Sequence, residues 1–145
     1  MPEFEQPLES RTPWVAEHIQ KYVETDGAEG HIWRGVPTLL LTTIGHRSGR
    51  ARRTALIYGR DGDSYVVVGS RGGADTHPGW YLNLLANPEV RVQVGAEKFA
   101  ARARAAAPEE KSRLWPMMAA IFPPYEEYQS KTTRAIPVVI LEPLR

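Results

Sequence analysis

Thr54-Ala55-Leu56-Ile57-Tyr58-Gly59-Arg60-Asp61-Gly62-Asp63-Ser64-Tyr65-Val66-Val67-Val68-Gly69-Ser70 reads as two runs of β-forming residues on either side of an Asp-Gly pair. That dipeptide between apolar runs is the strongest short-range hairpin signal, because the favoured two-residue turns need positive φ, which Gly adopts freely and Asp tolerates. Immediately upstream, Thr38-Leu39-Leu40-Leu41-Thr42-Thr43-Ile44 is apolar without alternation, the pattern of a strand buried on both faces. The three runs together predict a meander. Val90-Arg91-Val92-Gln93-Val94 and Phe99-Ala100-Ala101-Arg102-Ala103-Arg104-Ala105 alternate between wet and dry faces around a turn at Gly95-Ala96-Glu97, and Ile136-Pro137-Val138-Val139-Ile140-Leu141 is a last strand. Six strands with short turns predict a mainly β (α+β) fold, an antiparallel sheet closed into a small barrel that leaves no exposed edge.

Helices are few. Thr12 as cap and Pro13 at the first position open a helix over Trp14 to Val23, with Val15, Ile19, Tyr22 and Val23 on one face and Asp26-Gly27 as its stop. The breaker-rich stretch from Gly72 to Gly79 is a loop leading into a short helix near 80–86, which Asn87-Pro88 ends. Pro108-Glu109-Glu110 opens a C-terminal helix near 108–121, broken by Pro123-Pro124. Residues 1–11, polar and marked by proline, are expected as a loose tail, and 12–145 as a single domain.

With 145 residues, the chain is long enough to bury a core without covalent staples. Zero cysteines exclude disulfides, thiolate metal sites and thiol nucleophiles. A net charge of +1 falls short of a dedicated nucleic-acid binder. There is no secretory-type N-terminal pattern and no run of apolar residues long enough to span a bilayer, so a soluble, cytoplasmic protein without stable membrane insertion is expected.

Charge is concentrated locally. Thr43-Ile44-Gly45-His46-Arg47-Ser48-Gly49-Arg50-Ala51-Arg52-Arg53-Thr54 places four arginines and a histidine around two glycines at a strand end. Guanidinium groups pair bidentately with carboxylate and phosphate, so this turn either holds an anion or is a solvated hairpin tip. Ser70-Arg71-Gly72-Gly73 offers a small-residue loop whose N–H groups can meet ligand oxygens. His77-Pro78-Gly79-Trp80-Tyr81-Leu82-Asn83 offers a helix N-terminus beside a flat aromatic face. In Phe122-Pro123-Pro124-Tyr125-Glu126-Glu127-Tyr128 two phenols three residues apart share a face if the segment is helical, either to meet a substrate oxygen or as an aromatic patch over the barrel mouth. His18, His31 and His46 are scattered, and no metal site is assigned. Neither a nucleophile elbow nor a phosphate-binding glycine loop is present, so any chemistry must come from a bound organic cofactor.

Gly35-Val36-Pro37, the Leu40 to Gly49 segment with Arg52, Ser70 with Gly72-Gly73, the segment from His77 to Asn87-Pro88, Pro124-Tyr125-Glu126-Glu127-Tyr128-Gln129 and Thr133-Arg134-Ala135-Ile136-Pro137 occur in order. Together, over roughly residues 14–143, they resemble the deazaflavin-dependent nitroreductase family of actinobacteria. The resemblance implies a split β-barrel and coenzyme F420, a deazaflavin with an anionic phosphate and oligoglutamate tail. By matching position it implies that Arg47, Ser48 and Arg52, with Arg53, Thr54, Ala55, Leu56 and Ile57, line the phosphate and tail channel. His46 stands there where the family usually has arginine. It further implies that Val68, Gly69, Ser70 and Arg71 with Gly79, Trp80, Tyr81, Leu82 and Asn83 cradle the ring, and that Tyr125 and Tyr128 face the substrate. Phe122 stands where the best-known nitroreductase of the family has tyrosine.

The activity so implied is hydride transfer from reduced F420 to a quinone, enone or nitroaromatic acceptor, with backbone N–H groups near Ser70 and the Tyr125 hydroxyl as the polar groups at the reacting centre. A flavin mononucleotide reductase on the same fold and a deazaflavin carrier without turnover are the competing expectations. A small-molecule electron acceptor is the expected partner, and a homodimer is left open.

Overall fold

The computed structural model describes residues 3–8 and 10–144. Its strands are β1 (Glu3–Leu8), β2 (Ile32–Trp33), β3 (Val36–Ile44), β4 (Arg50–Ile57), β5 (Gly59–Asp61), β6 (Ser64–Val68), β7 (Glu89–Val94), β8 (Glu97–Ala105) and β9 (Val138–Pro143). Its helices are α1 (Pro13–Glu24), α2 (Gly79–Ala86), α3 (Pro108–Ile121) and α4 (Pro124–Ser130), with a single 3-10 turn at Arg71–Gly73. The hydrogen-bonded order is β1-β4-β3-β7-β8-β9-β6-β5, with β2 paired to β3 off this path.

All six expected strands are present, but the described residues hold nine and the sheet is not closed. The meander expectation fails at its second turn. β4 runs antiparallel to β3 from Thr38↔Ile57 to Ile44↔Ala51, and Tyr58 extends that edge by donating its N–H to Pro37 O at 3.2 Å. The chain then turns a corner at Gly59 instead of folding back on β4. α3 packs into this corner, where a Cβ on Gly59 would lie 2.8 Å from Met118 Sδ. The Asp-Gly turn therefore joins β6 to the short β5, and β6 pairs with β9. Because β4 and β5 are successive in the chain yet stand toward opposite ends of the hydrogen-bonded order, the sheet must roll round on itself. Among the described residues no ladder zips that seam.

The expected loose tail contains β1, which pairs in parallel with β4. Residues 1, 2 and 9 of that tail lie outside the described residues. The sequence cue misled because Pro7 and the polar residues are compatible with an edge strand, where one row of N–H groups is unpaired in any case. β2 and the short β5 are the other unforeseen strands; β2 lies before β3. It reaches β3 through Arg34-Gly35, whose φ values are +50° and +83°, the positive pair that matches strand twist in two-residue hairpins. A non-glycine residue in this region costs about 1–2 kcal/mol.

Three apolar clusters hold the molecule together. Leu39, Leu41, Val67, Val90, Val92 and Leu141 fill the inside of the rolled sheet together with Tyr65 and Leu84. Leu114 and Met118 of α3 and Tyr125 of α4 seal its flank against Val66, Val138 and Ile140. Ile19 and Tyr22 of α1 pack on Leu40, and the Tyr22 hydroxyl donates to Thr38 O at 3.0 Å while accepting from Gly95 N–H at 2.7 Å. The rolled sheet leaves a groove along its unzipped seam, between α1, α2 and α4.

Candidate active site

The arginine-rich segment is a tight turn followed by a strand. Gly45 N–H donates to Arg50 O at 2.8 Å and Gly49 N–H to Gly45 O at 2.9 Å, which leaves Arg47 and Ser48 exposed at the tip. Arg52 and Arg53 are not turn residues as expected. They are strand residues in register with Thr43 and Thr42, so their side chains leave opposite faces of the sheet.

A cavity of about 350 Å³ lies beneath this turn, lined by Arg47, Ser48, Arg52, Arg53, Thr54 and His46, with Gly79, Trp80 and Asn83 from α2 as its other wall. Ser10 and Arg11, from the segment after β1, close one side. Among the described residues no carboxylate lines it. Asn83 ties the turn to α2. Its Oδ1 accepts from the His46 N–H at 2.9 Å and lies 2.7 Å from His46 Nδ1, and its Nδ2 donates to Thr43 Oγ1 at 3.1 Å. Since Oδ1 only accepts, Nδ1 must carry hydrogen, and Nε2 is the imidazole nitrogen left for a ligand.

A second cavity of about 430 Å³ adjoins the first. Trp80 lines both, Thr54 leads into Ala55, and Pro78 leads into Gly79. Its walls are Ala55, Leu56 and Ile57 of β4, Val68, Ser70, Arg71 and Gly72 after β6, and Tyr125 and Tyr128 of α4. Among the described residues Arg71 is its one permanently charged lining residue, and no carboxylate faces it. Tyr125 and Tyr128 stand 6.4 Å apart centroid to centroid, on one face of α4 as helical spacing requires. Burial, and secondarily Tyr128, pushes the Tyr125 phenol well above the usual tyrosine range, so it is a neutral hydroxyl at any physiological pH.

The loop from Gly69 to His77 is held from behind. The Arg134 guanidinium donates to Gly69 O at 3.1 Å, to Ser70 O at 2.8 Å and to Ala74 O at 3.0 and 2.9 Å, and it meets His77 Nδ1 at 3.0 Å. A trans peptide points its C=O and N–H in opposite directions. With the Gly69 and Ser70 carbonyls turned to Arg134, the N–H groups of Ser70 and Arg71 point away from it. Burial, and secondarily Arg134, holds the His77 imidazole below its ordinary pKa, which fits its role as an acceptor.

Of the expected ligand residues, Gly69, Tyr81 and Leu82 line neither cavity. Gly69 is backbone scaffold, its N–H bonded to Pro137 O and its Cα against the Pro137 ring. Tyr81 belongs to the inner core, and Leu82 faces outward. Sequence reasoning assigned no site role to Arg134, Arg11, Trp14 or Trp33, the last two of which line the larger cavity. Arg134 contacts residues 57–65 positions away, so no local pattern marks it.

The fit to an anionic planar cofactor can be judged from the walls. Gly79 has no left-handed φ and no atom within 4 Å of where its Cβ would lie, so neither backbone nor packing demands glycine. Its missing side chain leaves room in the cavity at the N-terminus of α2, which no side chain caps and where free N–H groups favour anions.

The profile of the F420H(2)-dependent quinone reductase family matches residues 14–143. An F420H(2)-dependent quinone reductase of Mycobacterium tuberculosis is 43% identical over 128 residues, 86% of each chain. Among solved structures, one described as a domain-swapped dimer is 40% identical, covers 92% of this chain and 100% of its own, and superposes with a TM-score of 0.71. An F420-H2 dependent reductase is 41% identical, covers 77% of this chain and 98% of its own, with a TM-score of 0.68.

Proposed function

Because this chain belongs to the F420H(2)-dependent quinone reductase family, we propose that it is an oxidoreductase that uses reduced coenzyme F420 to reduce a small electron acceptor. The observation that carries this reading is the pair of adjoining cavities: one aromatic and apolar, the other lined by arginines and, among the described residues, by no carboxylate, the two sharing Trp80. A deazaflavin ring with a polyanionic tail has the same division. When bound, F420H2 supplies a hydride from its ring carbon.

The chain's own residues divide the remaining work. Arg47, Arg52, Ser48 and His46, with Arg11, hold the phosphate and tail. Val68, Ser70, Arg71, Gly79 and Trp80 hold the ring, and the outward N–H groups of Ser70 and Arg71 stabilise negative charge on it. Asn83 fixes His46, while Arg53, Thr54, Ala55, Leu56 and Ile57 form the strand wall between the two ends. Tyr125 donates its hydroxyl hydrogen to the acceptor oxygen as charge develops there, with Tyr128 beside it. Quinones are the leading acceptor class, enones and nitroaromatics the further ones; the carbon-only side chain of Phe122 offers a nitro group no additional donor.

Reconstitution with F420 or with flavin mononucleotide decides between cofactors, followed by oxidation of F420H2 against a quinone panel. We expect binding of F420 and turnover. Binding of F420 without turnover of any acceptor would favour a carrier. Charge-assisted contacts contribute roughly 1.5–3 kcal/mol each, so Arg47→Ala with Arg52→Ala should weaken F420 binding by about a hundredfold or more, and unchanged affinity would refute the tail assignment. The domain-swapped relative supports pairing of two copies, which molar-mass measurement in solution tests.

A further inference from the structure

Gln129 and the segment Thr133-Arg134-Ala135-Ile136-Pro137 stand in the sequence pattern of this chain, yet the function proposed above gives them no part. Arg134 is set apart by its partners. Arg104 and Arg113 pair with carboxylates, whereas among the described residues Arg134 forms no ion pair. It directs its donors to the carbonyls of Gly69, Ser70 and Ala74 and to His77 Nδ1. A flat fork of N–H groups serves several acceptors at once, which the single ammonium of a lysine does not. One side chain thereby holds both ends of the loop between β6 and α2.

The loop has a backbone that requires holding. Ser70 is right-handed at φ −76° and ψ −38°, and Arg71, Gly72 and Gly73 follow at φ +46°, +63° and +86°. A right-handed residue followed by a left-handed one turns successive N–H groups to one side. A left-handed arginine persists only where its surroundings determine it. Ser70, Arg71 and Gly72 line the larger cavity, so the shape of this turn decides where their N–H groups stand.

The same arginine is tied to α4. Gln129 donates from Nε2 to Arg134 O at 2.7 Å and accepts the Ile136 N–H on Oε1 at 3.0 Å. The Thr132 hydroxyl accepts the Arg134 N–H at 3.1 Å and donates to Asp75 Oδ1 at 2.9 Å. Gly73 closes the contact, since a Cβ there would lie 2.7 Å from Tyr128 O. One hydrogen-bonded unit thus joins the turn after β6 to the helix that carries Tyr125 and Tyr128.

We propose that Arg134 is a positioning residue of this reductase: with Gln129 it fixes the spacing between the turn at Ser70-Arg71-Gly72 and the phenols of α4, and so between cofactor and acceptor. The inference rests on the reductase reading and deepens it. Arg134 lines neither cavity and acts through the peptide units whose carbonyls it holds.

The test begins with direct titration of F420. Arg134→Lys keeps the charge and loses the fork, and its affinity should fall by about tenfold. Guanidinium ion at millimolar concentration should restore most of the affinity of Arg134→Ala, and ammonium ion should not. Gln129→Met removes both side-chain bonds at similar volume. It should keep F420 affinity within about twofold and lower kcat with 2-methyl-1,4-naphthoquinone by about tenfold, because the phenols are displaced. In that background Tyr125→Phe should cost less than about threefold, well below its cost in the native chain. Native F420 affinity in Arg134→Lys, rescue by neither ion, or additive effects of Gln129→Met and Tyr125→Phe would each overturn the proposal, and a lower melting temperature with affinity and kcat unchanged would leave Arg134 a purely structural residue. Hydrogen exchange without any ligand reads the same unit: Arg134→Lys should speed exchange in both 69–78 and 124–130, and acceleration confined to one of them would overturn the link. A wild type that binds no F420 would refute the reductase reading, while the exchange experiment still decides whether Arg134 joins the two elements.

Discussion

One carboxamide sets the geometry of the arginine-lined cavity. Asn83 Oδ1 accepts from both the N–H and Nδ1 of His46, and its own orientation is fixed by donation to Thr43 Oγ1. His46 consequently presents Nε2 as its free ring nitrogen. Among the described residues, the charged groups lining the same cavity are Arg11, Arg47, Arg52 and Arg53. On the function proposed above, Asn83→Ala releases the His46 ring and should weaken F420 binding several-fold, at about 1 kcal/mol for one hydrogen bond; unchanged affinity in a direct titration would show that the held orientation of His46 does not serve the tail.

The helix α4 and the loop from Gly69 to His77 pack against each other beside the larger cavity, Gly73 lying against the Tyr128 backbone, and each carries a consequence that only its element explains. α4 begins directly after α3 because Phe122 interrupts helical geometry and Pro123-Pro124 restarts it. The restart brings Tyr125 inside and Tyr128 to the cavity edge. Tyr125→Phe leaves the ring packing intact and removes the hydroxyl. It should lower acceptor turnover by roughly tenfold to a hundredfold, at about 1.4 kcal/mol per decade, with F420 affinity unchanged. Single-turnover oxidation of F420H2 separates the two, and wild-type rates would return Tyr125 to an apolar packing role. The facing loop depends on neutral His77 accepting from Arg134. A histidine whose folded pKa is lowered contributes stability that is present above its unfolded value and lost as pH falls below it. Thermal stability should accordingly decline below about pH 6.5 more in wild type than in His77→Gln, and parallel curves would remove this contribution.

At the scale of the whole molecule, the patterns of the six longer core strands and of α1, α2 and α3 were legible, whereas the short or edge strands β1, β2 and β5 and the way the elements join were not. Buried runs such as Leu39-Leu40-Leu41 and Val66-Val67-Val68 state their period directly, and the capping and breaking residues of α1, α2 and α3 mark their ends. The corner at Tyr58-Gly59 was invisible, because the side chains packed against Gly59, Met118 of α3 among them, stand about sixty positions later. The candidate site divides in the same manner. Its arginines and phenols stand in local clusters, whereas Arg134 and Trp33 meet their partners only across long stretches of chain.

The same end of the sheet carries α3 on its flank, held to β5, β6, β8 and β9 through charge as well as packing. Arg104 of β8 forms paired bonds with Glu110 of α3 at 2.7 and 2.9 Å and reaches Glu142 of β9 at 3.2 Å, while Arg113 of α3 pairs with Asp61 of β5 at 2.8 and 3.0 Å. Glu110 also accepts the Ala107 N–H at 2.9 Å, satisfying an open donor at the start of α3. The Arg104 bonds, followed by that backbone bond, hold the Glu110 carboxyl down to about 2. A carboxyl with a lowered folded pKa contributes stability that is fully present above its unfolded value, 4.5, and lost as pH falls toward 2. These groups are solvent-exposed, so salt should weaken the contribution as acid does. Glu110→Gln should therefore melt below wild type at neutral pH and low salt, and the gap should close as the pH approaches 2 and shrink in high salt. A gap that persists unchanged at acid pH would mean that the glutamate acts through α3 packing rather than through its charge. A gap absent at neutral pH would mean that the apolar contacts of Leu114 and Met118 alone hold α3 to the sheet.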